Sequence, residues 1–123
     1  ISLDTMNRGR FEEITGFDQL PEVLRSIDAA VDSGLRVKVN VVLQQDKNAD
    51  EWQKILEIAE RRPIDVRFIE MMPIGRGREC TGVSNDELLK KIQEQYPGVC
   101  KDDREHGNGP AVYYHIPGFV GSV

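Results

Sequence analysis

The sequence is poor in the residues that most readily betray a chemistry. It holds two cysteines, two histidines and one tryptophan. Cys80 and Cys100 are too far apart for a CxxC zinc or redox motif, and two thiols cannot supply a cluster that needs three. They are read as unrelated thiols rather than as a disulfide, and no metal ligand is expected in this chain. No apolar run approaches the roughly 18 residues of a membrane-crossing helix, so no membrane partner is expected. Ile1-Ser2-Leu3-Asp4 is neither a charged leader nor a cleavable apolar segment. The missing initiator methionine suggests an excised piece of a cytoplasmic protein. Phosphate-loop, nucleophile-elbow and dinucleotide-binding patterns are all missing. So is a basic surplus: 16 basic and 21 acidic residues leave a net charge of −5, which disfavours a nucleic-acid partner.

What is present is ordinary globular material, with 39% hydrophobic and 30% charged residues in 123 positions. The length suits one domain or part of one. Ile1 to Leu3 alternates like a short strand, and a helical turn around Arg10 to Ile14 ends at Gly16. Leu20, Val23, Leu24, Ile27 and Val31 recur at helical spacing, with Pro21 in the first turn and Gly34 at the expected left-handed stop. Val37 to Leu43 is predicted as a strand. Asn48 and Glu51 resemble a capping box for a second helix with Trp52, Ile55, Leu56 and Ala59 on its core face. After Pro63, Ile64 to Met71 is predicted as another strand. Ser84 and Glu87 form a second capping box ahead of Leu88, Leu89 and Ile92, and Pro97-Gly98 stops that helix. Lys101 to Asn108 is a loop or hairpin arm, and Ala111 to Ile116 a last strand.

Alternating strands and helices predict an α/β fold of βαβ units with parallel pairing. The loop Gly75 to Gly82 is the one candidate boundary, dividing βα units in 1–74 from an appended helix and strand in 75–123.

Strands buried on both faces usually read as unbroken apolar runs, and these do not. Val37, Val39 and Val41 share one face of their strand, leaving Lys38 and Asn40 on the other. Val66 and Phe68 likewise oppose Arg67, and Ile1 and Leu3 oppose Ser2. A lysine and an arginine buried without partners would cost several kcal/mol each. An anionic ligand would resolve this, since a point charge and a planar fork together suit phosphate oxygens. The other reading pairs Lys38 and Arg67 with nearby carboxylates such as Asp65 or Glu70, or sets them on a solvated edge. Glu70 lacks a titratable neighbour in sequence and reads as structural. Met71 and Met72 read as core or pocket lining, and His106 and His115 as surface or satisfied histidines. The Gly75-Arg76-Gly77-Arg78 alternation is a weak phosphate-contact signal.

Several segments in this order carry a family resemblance: Ser2-Leu3-Asp4, Lys38 to Leu43, Arg67-Phe68-Ile69-Glu70-Met71-Met72-Pro73, and Gly109-Pro110-Ala111-Val112-Tyr113-Tyr114. The chain resembles, from Ser2 to about Gly121, the GTP 3′,8-cyclase family of radical S-adenosylmethionine enzymes in molybdenum-cofactor biosynthesis. The resemblance implies a partial (βα) TIM-like barrel with active-site groups at the strands' C-terminal ends and inner face. It implies a lyase in which one [4Fe-4S] cluster cleaves S-adenosylmethionine reductively. The radical so formed takes hydrogen from the ribose of GTP, while a second [4Fe-4S] cluster helps hold the guanine. On matching positions it implies that Ser2 and Met72 contact S-adenosylmethionine, that Lys38 binds the GTP phosphates, and that Arg67 meets substrate. Asn40 lines the same face as a cofactor-binding candidate. No residue is assigned a catalytic role.

Neither cluster motif of that family occurs between Ile1 and Val123, and Cys80 and Cys100 match neither set. The expectation is therefore a segment that carries parts of two binding sites, holds no cofactor tightly and is inactive alone. Open sheet edges favour pairing or strand exchange, so a homo-oligomer is expected. The rival readings are a non-catalytic α/β interaction module and another barrel enzyme acting on a phosphorylated metabolite.

Overall fold

The computed structural model describes residues 1–75 and 79–123. Helix α1, Arg8–Thr15, starts at Asn7, whose side chain accepts from the Arg10 N–H at 3.1 Å. Helix α2, Leu20–Asp32, has proline in its first turn and buries Leu20 and Ile27. Strand β1, Val37–Val41, follows Gly34, which takes the left-handed φ of 74° that the sequence required of it. After β1 come a 3₁₀ turn, Ala49–Glu51, and two short helices, α3 at Trp52–Leu56 and α4 at Ile58–Arg61. Strand β2 is Ile64–Phe68 and helix α5 Asn85–Gln95. The chain closes with the short strands β3, Cys100–Asp102, and β4, Tyr113–His115.

β1 and β2 pair in parallel, with Lys38 opposite Asp65 and Asn40 opposite Arg67. Ser2 forms a parallel bridge to Asn40, anchored by the Leu3 N–H to the Asn40 carbonyl at 2.9 Å. On the far side of β2, Ser122 forms a parallel bridge to Asp65. The α/β class and the parallel pairing therefore match the sequence reading. One face of the sheet carries Val37, Val39, Val41, Ile64 and Val66. These side chains are buried with Ile27 of α2, Ile55 and Leu56 of α3, and Ala59 of α4 in one apolar core. Burying side chains of this size contributes about 1.5–3 kcal/mol each.

Three sequence expectations are corrected. The strands are shorter than the apolar runs suggest: β1 ends at Val41 rather than Leu43 and β2 at Phe68 rather than Met71. Asn48 does not cap a helix; it is fully buried, donates to the carbonyls of Asp4 (2.6 Å) and Val42 (3.0 Å), and accepts from the Gln44 N–H at 2.7 Å. With both its N–H groups and one oxygen lone pair committed to these backbone groups, the side chain makes no hydrogen bond to the helical turn that follows. The second helix is also split in two, at Glu57.

The third correction concerns the last strand. β4 does not join the parallel sheet; it pairs antiparallel with β3. The fourth parallel position belongs to the glycine-punctuated tail. The Ser122 N–H donates to the Ile64 carbonyl and the Val66 N–H to the Ser122 carbonyl, at 3.2 and 2.9 Å. Val123 exchanges two backbone hydrogen bonds with Tyr114, so the tail ties the hairpin to the parallel sheet. Gly121 permits this docking, because a Cβ there would lie 2.1 Å from the Ile64 carbonyl oxygen. Ser84 caps α5 as expected, its hydroxyl accepting from the Glu87 N–H at 3.2 Å, but the Glu87 carboxylate accepts from Lys91 at 2.9 Å, so the box is present as its serine half.

Candidate functional site

The face of the sheet opposite the valines is polar. Strand alternation places Lys38 and Asn40 of β1 beside Asp65 and Arg67 of β2 on it, as the sequence reading placed the first, second and fourth. Ser2 reaches the same row through its bridge to Asn40. At the C-terminal half of the strands, Arg67 donates from Nε to the Asn40 side-chain oxygen at 2.9 Å. At the N-terminal half, the Lys38 ammonium donates to the His106 backbone carbonyl and to the Tyr113 hydroxyl, the latter at 3.2 Å. It also lies 5.4 Å from the centre of the Tyr113 ring.

Among the described residues, no carboxylate forms an ion pair with Lys38 or Arg67. The reading that pairs them with Asp65 or Glu70 is corrected here. Asp65 is turned to His106, and a Glu70 oxygen accepts the Asn85 N–H at the start of α5 at 2.7 Å. Both cations therefore meet neutral oxygens, which order them without cancelling their charge.

Sequence reasoning missed what stands beside Lys38. Of the two readings of His106, the satisfied one holds and the surface one does not: the ring is buried and stacked on Tyr113 with ring centres 4.0 Å apart and planes 10° from parallel. Its Nδ1 lies 3.2 Å from Asp65 and its Nε2 3.0 Å from Asp102. The Arg104 guanidinium, followed by its own backbone N–H and the His106 ring, holds the Asp102 carboxyl well below the usual carboxylate range against the opposing effect of burial. Ser122 donates to the same carboxylate at 3.3 Å. The sole signal in the sequence was a histidine amid Asp102, Asp103 and Glu105, which reads equally well as a solvated loop.

At the strands' C-terminal ends, a network built on Asp4 and Thr5 shapes the exit of β1. An Asp4 oxygen accepts the Val42 N–H at 2.8 Å, while burial, partly offset by that hydrogen bond, raises its pKa. Thr5 donates to Glu51, which Arg10 approaches at 3.3 Å. Met72 lies four residues beyond β2 and is 67% exposed, with Ile69 and Ile74 also exposed nearby in sequence. The Gly75 to Arg78 phosphate-contact signal falls, beyond Gly75, outside the described residues.

Among the described residues, no three His, Cys, Asp or Glu side chains converge as a metal site, and Cys80 and Cys100 are free thiols. Two thiols do not fit an iron–sulfur cluster. Nor is any described helix long and apolar enough to cross a membrane.

No family model matches the chain. Individual proteins do. A GTP 3′,8-cyclase of Clostridium perfringens is 42% identical over 123 residues, covering the whole of this chain and 38% of the relative. This chain is related to the GTP 3′,8-cyclases. Molybdenum cofactor biosynthesis protein 1 of Drosophila melanogaster is 41% identical over 128 residues, again covering all of this chain and 22% of the relative. The Yersinia pestis GTP 3′,8-cyclase is 35% identical over 127 residues, with coverage of 100% and 38%. The chain thus spans well under half the length of these relatives.

Proposed function

We propose that this chain is the nucleotide-facing part of a GTP 3′,8-cyclase, a radical S-adenosylmethionine lyase of molybdenum-cofactor biosynthesis. The observation that supports this best is the Lys38–Asn40–Arg67 face, whose two cations meet neutral partners, in a chain similar end to end to such cyclases. In this reading the parallel strands are one arc of a (βα) barrel. Residues 1–74 supply its βα units, and 75–123 extend towards the remainder of the enzyme. The polar row faces the lumen and α2 to α4 form the outer jacket.

The Lys38 ammonium binds GTP phosphate oxygens as a point charge. Arg67, fixed through Nε by Asn40, keeps the NH1 and NH2 edge of its fork for the same substrate. Ser2, beside Asn40, and the exposed Met72 are the contacts for S-adenosylmethionine, with Asn40 between the two ligands. S-adenosylmethionine supplies the reaction's hydrogen-abstracting group when bound. The two [4Fe-4S] clusters of the reaction do not fit the thiols of this chain, so their ligands belong to other parts of a longer enzyme. The segment alone is inactive in this reading. It works in the cytoplasm, and it pairs or exchanges strands through its sheet edges. Sedimentation of this chain at tens of micromolar checks the last point, a monodisperse monomer counting against it.

A chimera tests the function. This chain replaces the matching 38% of the Clostridium perfringens cyclase. The expected chimera forms the cyclised nucleotide, and Lys38→Ala abolishes that activity. A folded, cluster-loaded chimera whose activity is indifferent to Lys38→Ala would overturn the proposal.

A further inference from the structure

A strap of backbone lies across the N-terminal half of the polar face, tied down at several points. Arg36 donates to the Glu105 carbonyl at 3.1 Å, and Lys38 donates to the next carbonyl, that of His106. Gly107 follows directly; a Cβ there would sit 3.6 Å from the Lys38 ammonium. The strap is held from beneath by the His106 ring, gripped at one nitrogen by Asp65 of β2 and at the other by Asp102 of β3. Tyr113 of β4 stacks on that ring and offers its hydroxyl to Lys38. One imidazole therefore links β2, β3 and β4 to the carbonyl that fixes the lysine.

We infer that His106 is a positioning residue: clamped between Asp65 and Asp102, it holds the 104–107 strap so that its own carbonyl, with Tyr113, orients the Lys38 ammonium for polyphosphate. The inference rests on the phosphate role of Lys38 proposed above and adds the device that sets its geometry. A lysine on a four-carbon stem samples many rotamers, and fixing it before the ligand arrives removes that ordering cost from binding. Both acceptors are neutral, so one N–H and the full charge remain for the anion. A carboxylate in place of the carbonyl would orient the ammonium equally well but would neutralise it. Asp65, opposite Lys38 in register, is kept from doing so by its engagement with His106.

The test uses the 123-residue chain with two readouts. The first is the Lys38 ammonium cross-peak in ¹H–¹⁵N NMR, assigned by its loss in Lys38→Arg. Its visibility depends on ammonium hydrogen bonding, and a role confined to packing would not move it. The peak is expected in the wild type, lost in His106→Ala and weakened in the isosteric Asp65→Asn, with the methyl spectrum of a folded core retained. Persistence of the peak in folded His106→Ala would overturn the inference. If that variant does not fold, an unchanged peak in Asp65→Asn would do so instead. The second readout is titration with inorganic triphosphate. His106→Ala is expected to weaken binding about tenfold, the scale of one well-oriented charged hydrogen bond. Wild-type binding left unchanged in folded His106→Ala would also overturn the inference. Loss of the ammonium peak in His106→Ala, together with no triphosphate binding by the wild type, would support the clamp and sink the phosphate reading of the face.

Discussion

Arg67 donates from Nε to the Asn40 side-chain oxygen at 2.9 Å, a link between strands that register sets directly opposite each other. The bond fixes the plane of the guanidinium while spending one of its five N–H groups. Asn40→Ala is expected to leave the charge in place and free its orientation. Anion affinity should fall several-fold, less than in Arg67→Ala, because charge alone retains most of the attraction. Calorimetric titration of both variants with GTP checks the ranking. Equal losses would mean that orientation matters as much as charge.

Asn48 gathers three backbone groups at the exit of β1 and is wholly buried. Asn48→Ala leaves two carbonyls and one N–H without these partners. The expected cost is about 2–4 kcal/mol, since stranded buried polar groups cost more than the bonds they lose. Urea denaturation at neutral pH reads it directly. A shift below about 0.5 kcal/mol, the usual surface range, would show that the exit loop repacks around the gap.

Gly121 lets the tail approach β2 more closely than any side chain allows. In Gly121→Ala the tail is expected to leave its place. Hydrogen-exchange protection should then vanish at Val66, Ser122 and Val123, whose N–H groups donate within this junction. Protection at Val39 and Val41, deeper in the core, should persist. Uniform loss across the chain would mean that the tail is integral to folding rather than docked on a formed sheet.

The depressed pKa of Asp102, set chiefly by Arg104, carries a pH signature. A carboxyl depressed in the folded state adds stability above its unfolded pKa, about 3.9, and loses it as pH falls through the folded value. Asp102→Asn should therefore be less stable than the wild type at neutral pH. The gap should narrow as pH drops below about 4. Thermal melts across that range check the sign, and a gap that widens under acid would reverse the assignment.

Local rules made much of this legible. Ser84, Pro21 and Gly34 announced helix ends because caps act through residues adjacent in sequence. The alternation of Val37, Lys38, Val39, Asn40 and Val41 revealed a two-faced strand because side-chain direction has a period of two. What stayed hidden depends on distant partners. Asn48 looked like a helix cap because one of its partners, Asp4, lies 44 positions away, and the turn that brings Val42 and Gln44 back to it is not marked in the local sequence. Ala111 to Ile116 outscored the tail as the last parallel strand because apolar content says nothing of pairing partner. Gly121, which weakens a strand by propensity, is required there by close contact. Of the two carboxylates that hold His106, Asp102 stands four residues away and was in view, whereas Asp65 lies 41 positions off and was not.

Lys38 and Arg67 share one polar face and keep their charge for an anion. The most direct measurement is calorimetric titration of GTP into this chain at low and physiological salt, beside Lys38→Ala. Affinity that falls with salt and drops about tenfold or more in Lys38→Ala, the worth of one charged contact, is the expected result. Equal affinity in the two proteins at both salt concentrations would contradict it.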